Sequence, residues 1–286
     1  MSFYTISPSS GISGSVKISG SKNAALPIIA ASLLSGGTSV IHNVPDLSDT
    51  RNMCGLLKYS GAENIRRESD TLYITPGESA HKTLPLELAG KLRASFLIIG
   101  PMLARYKKVK IPLPGGCQIG ARPIDLHLKG FASMGAKIKQ GHGYVELKCD
   151  KLCPTKIYLD FPSVGATENL MIAASLINGE SIIENAATEP EITDLADYLK
   201  KMGAKISGAG TDTIKINGKK VLNPAEHTVI PDRIEAGTFM AIAAICKNHL
   251  KVDNVIADHL RPVSAKLNEM GFEIKEGKSS IEVIPC

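Results

Sequence analysis

The sequence predicts an α/β fold made of four copies of one unit of about 70 residues, with apolar helices inside and sheets around them. Three observations carry this. A closing mark recurs as Ser60-Gly61-Ala62, Met134-Gly135-Ala136, Met202-Gly203-Ala204 and Met270-Gly271-Phe272, its glycines 74, 68 and 68 residues apart. The segments that open the copies align as Ala30-Ala31-Ser32-Leu33, Ala173-Ala174-Ser175-Leu176 and Ala243-Ala244-Ile245, with Ile98-Ile99-Gly100-Pro101 as a more divergent second copy. The segment 26–34 is apolar nearly all round, as a helix is when it is buried rather than half-exposed.

Each copy reads as helix, strand, helix, strand, strand. In the first, Ser15-Val16-Lys17-Ile18 is strand-like and runs through Gly20-Ser21 into a helix over 21–34. Gly36-Gly37 ends it, and Thr38-Ser39-Val40-Ile41 is rich in β-formers. An amphipathic helix over 49–59 stops at Gly61. In the third copy a helix over 167–176, a strand over 180–184 and a helix over 194–202 follow in turn, with Gly203 at the last C-cap. Ile157-Tyr158-Leu159 and Lys215-Ile216-Asn217 read as strands. The period exceeds the roughly 20–50 residues of common solenoids and suits a compact unit sharing a core with its neighbours.

At 286 residues and 43% hydrophobic, the chain is long enough for more than one domain core and too apolar to be disordered. Its net charge of +5 is too weak to argue for nucleic acid. The basic stretch Arg105-Tyr106-Lys107-Lys108-Val109-Lys110 reads as a solvated turn before a strand. No segment reaches the ~18 apolar residues of a membrane span, and the N-terminus is not signal-like, so a cytoplasmic protein is expected. Six Cys form neither a disulfide framework nor a zinc set, and no metal is expected.

Three segments could carry chemistry. Gly20-Ser21-Lys22-Asn23 opens a helix, where unpaired N–H groups, the helix dipole and the Lys22 charge favour an anion; an ordinary Ser cap before a solvated Lys would read the same way. Arg93 in Lys91-Leu92-Arg93-Ala94-Ser95 stands at the position matching Asn23 and opposes the helix dipole, so a carboxylate or a phosphate should face it. The Pro- and Gly-rich stretch 112–123 is a loop holding Cys117, with Arg122 five residues on to favour a thiolate; a bystander thiol in a turn is the alternative. The other five Cys read as structural, and His127 as a helix-surface residue ahead of a ligand contact. The usual Gly-rich nucleotide loops are absent.

Gly20-Ser21-Lys22-Asn23-Ala24-Ala25-Leu26-Pro27, Asn43-Val44-Pro45-Asp46-Leu47-Ser48-Asp49 and Leu113-Pro114-Gly115-Gly116-Cys117-Gln118-Ile119-Gly120-Ala121-Arg122-Pro123 closely resemble the UDP-N-acetylglucosamine 1-carboxyvinyltransferases, an enolpyruvyl transferase family. So do Pro162-Ser163-Val164-Gly165-Ala166-Thr167-Glu168-Asn169 and Pro231-Asp232-Arg233-Ile234-Glu235-Ala236-Gly237-Thr238. The resemblance runs through the whole chain. The sister family that makes enolpyruvylshikimate phosphate shares the fold without this Cys-bearing loop.

The resemblance implies an inside-out α/β barrel of two three-repeat domains. It implies transfer of the enolpyruvyl group of phosphoenolpyruvate to the 3-hydroxyl of UDP-N-acetylglucosamine, with release of phosphate, at the start of peptidoglycan synthesis. No cofactor, nucleic acid or membrane is involved, and the family is monomeric. By matching position, Lys22, Asn23 and Arg122 would meet phosphoenolpyruvate. Arg93, Arg122, Pro123, Ile124, Asp125, Leu126, Ser163, Val164 and Gly165 would hold the nucleotide sugar, and Cys117 would protonate the methylene carbon. Phe161 stands where some members have Lys, which puts a charged diphosphate contact there in doubt. The family has six repeats and this chain has four, so residues 21–231 are expected to form one complete domain, with 1–20 and 232–286 part of a second. The family's aspartate base and two of its arginines belong to the fifth and sixth repeats. A chain inactive by itself is therefore expected, or else a non-catalytic UDP-sugar binder.

Overall fold

A computed structural model of the chain describes residues 3–5, 7, 13–90, 92–113 and 124–285, without the side chain of Arg93. It falls into two compact units, one of residues 22–230 and one that joins the residues up to 21 to those from 231 onward.

Strand β1 (Gly14–Lys17) comes first. The first repeat is α1 (Lys22–Ala31), lengthened by a 3-10 turn, then β2 (Ser39–His42), α2 (Ser48–Tyr59), β3 (Ala62–Glu68) and β4 (Thr71–Pro76). The second opens with a short α3 (Leu86–Ala89) and a 3-10 stretch, Arg93–Ile98, that runs into α4 (Ile99–Tyr106). It continues as β5 (Lys108–Pro112), α5 (Asp125–Ser133), β6 (Lys137–Gly141) and β7 (Tyr144–Lys148). After β8 (Lys156–Tyr158), the third holds α6 (Val164–Ser175), β9 (Gly179–Glu184), α7 (Pro190–Met202), β10 (Lys205–Ser207) and β11 (Thr213–Gly218). After β12 (Glu226–Thr228), the fourth holds α8 (Arg233–Cys246), β13 (Leu250–Asp253), α9 (Arg261–Glu269), β14 (Glu273–Glu276) and β15 (Ser280–Ile284).

In each repeat the first strand pairs antiparallel with the third, and the third with the second. The four glycines of the repeat mark all take left-handed φ, from 96° to 117°, which lets the outer helix stop and turn into the hairpin. A fourth, parallel strand is added at the edge: β12 on β2, β8 on β9 and β1 on β13. The exchange is reciprocal. Strand β1 precedes the first repeat but pairs in the fourth, while β12 precedes the fourth but pairs in the first. Each unit is thereby sewn from both ends of the chain that crosses it.

An unexpected device fixes these edges. Asn43, Asn185 and Asn254 each follow the first strand of their repeat with φ of 57°, 54° and 60°. Their amides donate to the carbonyls of Val229 (2.8 Å), Leu159 (2.8 Å) and Ile18 (2.6 Å), each the residue just beyond its edge strand. Asparagine tolerates the left-handed region, and its short amide reaches a neighbouring carbonyl. In the second repeat Leu113 stands at this position, just before the Cys-bearing stretch, and the edge strand shrinks to a single bridge, Thr83 to Lys110.

The core of the larger unit lies among α1, α4 and α6, which pack on one another. Residues 24–31 of α1 and 166–175 of α6 are all buried, which is why these helices read as apolar all round. The amphipathic α2 and α7 cover them with Met53, Leu56 and Leu57, and with Ile192, Leu195 and Leu199. Helix α8 has the same apolar composition but buries only Ala236, Met240, Ala243 and Ala244, leaving Ile234 and Ile245 exposed.

Three expectations change. In the second repeat the segment that matches α1 is not α-helical from its start at Arg93: it runs as a 3-10 stretch to Ile98, the Gly100 N–H turns to Asn169 Oδ1 (2.7 Å) and Pro101 has no N–H, so α-helical bonding starts late. The basic stretch is not a solvated turn. Arg105 donates to Leu33 O (2.5 Å) and Ser35 O (3.2 Å), closing carbonyls beyond α1. Lys107 bonds Ala104 O, Lys108 pairs with Glu146 and Lys110 lies over the Tyr144 ring. Of the Cys read as structural, Cys149 is buried and Cys54 half-buried, but Cys153 and Cys246 are exposed, one in a loop and one at the end of α8; Cys286 lies outside the described residues.

Candidate active site

Helix α1 begins with Lys22, whose Nζ lies 3.0 Å from Asp49 Oδ2 in the first turn of α2. A cation on the first turn opposes the helix dipole, and Asp49 offsets that cost. Sequence reasoning missed Asp49, although it belongs to the Pro45-Asp46-Leu47-Ser48-Asp49 motif. Asn23 follows and is exposed.

A second group forms where α5 meets α6. Ile124 precedes α5, Asp125 is exposed in its first turn, and Leu126 turns inward and is buried. Ser163 caps α6: its Oγ accepts from Ala166 N (3.4 Å) and its carbonyl from Thr167 N (2.9 Å). The N–H groups of Val164 and Gly165 therefore have no acceptor within the helix, and an anion is favoured there. The two segments touch through His127, whose Cε1 and Nε2 lie 3.4 and 3.5 Å from where a Cβ on Gly165 would stand. Glycine at this position leaves room for the ring.

His127 is not a helix-surface residue. Its Nδ1 lies 3.0 Å from Asn169 Nδ2, and its ring packs edge-on to Phe96 at 6.0 Å. Burial pushes its pKa down to about 4. Asn169 also donates to Phe96 O (2.8 Å). Its visible signal was an amide inside a largely apolar buried helix, beside the polar Thr167 and Glu168. Burial, then Glu191 and Glu189, raises the Glu168 carboxyl well above the usual carboxylate range. Deeper in the unit, Asp194 Oδ1 pairs with His227 Nε2 at 2.8 Å, both residues buried, and ties α7 to β12.

The structure thus brings the first turn of α5, through His127, against Gly165 in the first turn of α6, and sets Lys22 against Asp49. Cys117, Arg122 and Pro123 lie outside the described residues, as does the side chain of Arg93. Among the described residues no group of three or more His, Cys, Asp or Glu could hold a metal, and no helix is long and apolar enough to cross a membrane.

The model of the EPSP synthase (3-phosphoshikimate 1-carboxyvinyltransferase) family matches residues 6–286. UDP-N-acetylglucosamine 1-carboxyvinyltransferase 1 of Caldanaerobacter subterraneus subsp. tengcongensis is 55% identical over 98% of this chain and 67% of the relative. The corresponding enzyme 2 of Carboxydothermus hydrogenoformans is 55% identical over 96% and 66%, and that of Halothermothrix orenii 51% over 99% and 68%. The chain spans about two thirds of the length of these relatives. Among solved structures, the enolpyruvyl transferase NikO from Streptomyces tendae superposes with a TM-score of 0.85 at 21% identity, over 96% of this chain and 66% of that one. EPSP synthase from Acinetobacter baumannii superposes at 0.75 with 18% identity, over 96% and 65%. These two likenesses speak to the fold alone. More than half of the residues match relatives that bear a single name, over nearly the whole of this chain, and so the chain belongs to the UDP-N-acetylglucosamine 1-carboxyvinyltransferase family of enolpyruvyl transferases.

Proposed function

We propose that this chain carries the nucleotide-sugar side and the acid of an enolpyruvyl transfer. The 3-hydroxyl of UDP-N-acetylglucosamine gives its proton to a base as its oxygen bonds to C2 of phosphoenolpyruvate and C3 takes a proton from an acid; the C2–O bond to phosphate then breaks, phosphate leaves, and C3 gives a proton back to re-form the double bond. In this reading Cys117 is the acid at C3, Lys22 and Arg122 offset the charge of phosphoenolpyruvate, and Asn23 contacts it through its amide. Arg93, the stretch from Arg122 to Leu126, and Ser163 with Val164 and Gly165 hold the nucleotide sugar. The protein acts in the cytoplasm, as a monomer, on two small molecules in peptidoglycan synthesis.

The observation that carries this reading is the meeting of the α5 and α6 heads, which puts two sequence-distant motifs of the family at one anion-favouring place. The fourth repeat supports a division of labour. Helix α8 shows the apolar composition of α1 and α6 with a face left exposed, a surface suited to further packing.

The test is calorimetry with UDP-N-acetylglucosamine alongside phosphate release from phosphoenolpyruvate. The 286-residue chain is expected to bind the nucleotide sugar and to release little or no phosphate. Added C-terminal repeats of a relative are expected to restore release, and Cys117→Ser to remove it again. Normal turnover by the 286-residue chain alone would overturn the division of labour. No binding would overturn the site.

A further inference from the structure

The α5–α6 meeting point contains a hydrogen-bond chain with one possible sense. A backbone N–H can only donate, so Gly100 N, 2.7 Å from Asn169 Oδ1, fixes that atom as the amide oxygen. The other end of Asn169 is then the NH2. It donates one hydrogen to Phe96 O at 2.8 Å and directs the other at His127 Nδ1, 3.0 Å away. Nδ1 must accept, so the proton of the neutral ring sits on Nε2. An imidazolium would set N–H against N–H, and the site rejects it.

The surroundings agree. Helix α5 packs against α6, β6 and β8. On α5 itself Asp125 is exposed and Lys129 is held by Asp160 at 2.7 Å, while Glu168, beside Asn169 on α6, is kept toward its neutral form by burial. Desolvation is the whole cause of the low His127 pKa, and no neighbouring charge contributes.

Nε2 is the ring atom left for other work, and it sits beside Gly165, next to the first-turn N–H groups of α6. We infer that His127 is a specificity-determining residue of this site: a neutral imidazole, locked by Asn169 as the Nε2–H tautomer, that donates one hydrogen bond to a phosphate oxygen of a nucleoside diphosphate at the head of α6. The inference rests on the proposed nucleotide-sugar site and deepens it. Such a donor holds an anion without adding a charge that titrates near neutral pH.

The test uses the whole 286-residue chain with UDP as the probe. In 15N-resolved NMR, free His127 is expected to show the Nε2–H tautomer and no titration between about pH 5.5 and 8, and its Nε2–H resonance is expected to shift on adding UDP. In calorimetry His127→Phe, which keeps a packed ring and loses the donor, should weaken UDP at least about tenfold, while His127→Gln, which can place an amide N–H at the same point, should recover most of that loss. Asn169→Asp supplies an acceptor for Nδ1–H, so His127 should titrate near neutral pH and UDP binding should become stronger as pH falls. An Nδ1–H tautomer, or equal UDP affinity in wild type and His127→Phe, would overturn the inference while the site stands. Failure of wild type to bind UDP, with the Ser163, Val164 and Gly165 amides unmoved, would remove the site and this inference with it.

Discussion

Gly218→Ala is expected to destabilise the larger unit by about 3–4 kcal/mol, at the upper end of overpacking costs, because three backbone carbonyls meet at that position. A Cβ on Gly218 would stand 2.2 Å from Ala174 O, 2.4 Å from Ile177 O and 2.8 Å from Ser175 O. None of these is the loose end of a side chain. They belong to the last turn of α6 and the residues after it, and Ser175 O already accepts from Lys219 N at 3.0 Å. Strand β11 cannot move away alone, since it is paired with β9 on one side and β10 on the other. Relief therefore requires α6 to shift, and α6 is buried along 166–175 against α1 and α4. For a unit of this size the loss corresponds to a fall in Tm of about 10 °C. Gly143→Ala is the control: it lies at an exposed hairpin with φ of 79° and nothing within 4 Å, so only backbone strain of about 1 kcal/mol is expected. Thermal unfolding of the two variants beside wild type reads the difference. Equal melting of all three would show that the end of α6 is not a fixed surface.

That contact also shows where sequence reading reaches its limit. The repeat was legible because its marks are local. Gly61, Gly135, Gly203 and Gly271 are required by a backbone angle, and the apolar openings by burial, so both recur in the sequence at a fixed spacing. Gly218 is required by the backbone of α6, forty residues away, and nothing next to it says so. The edge strands are the same case. Glu226-His227-Thr228 carries no strand signal of its own, and only the fold makes β12 complete the first sheet while β1 completes the fourth. The Asn pins were within reach, since Asn43, Asn185 and Asn254 each follow a strand at matching places in three copies; the divergent second copy, with Leu113 there, hid the pattern. At the site the segments were readable as motifs, but their partners were not. Asp49, Phe96 and Asn169 act across elements, and a periodicity argument sees one element at a time.

The stability of the larger unit should carry two opposed pH slopes that single substitutions separate. His127 is held down at about 4 from an ordinary value of 6.5. Between those values the unfolded chain binds the proton and the folded one does not, so this residue's contribution is full above pH 6.5 and is lost as pH falls through 4, roughly 3 kcal/mol in all. Glu168 runs the other way. Its carboxyl is raised well above 4.5, so the folded state keeps a proton that the unfolded state releases. Its contribution is present below pH 4.5 and is lost as pH rises through the folded value. From pH 4.5 to 6.5 the two slopes have opposite signs, and the wild-type curve conceals both. His127→Gln should flatten the acid side, so that between pH 7 and pH 4 it loses less stability than wild type by about that 3 kcal/mol. Glu168→Gln keeps the shape of the protonated acid and removes the titration, so its advantage over wild type should grow from pH 5 to pH 8. Urea unfolding at pH 4, 5, 6, 7 and 8 for the three proteins measures all of it. Parallel curves would mean that neither side chain is desolvated as the fold requires, and with that the fixed Asn169–His127 geometry would fall as well.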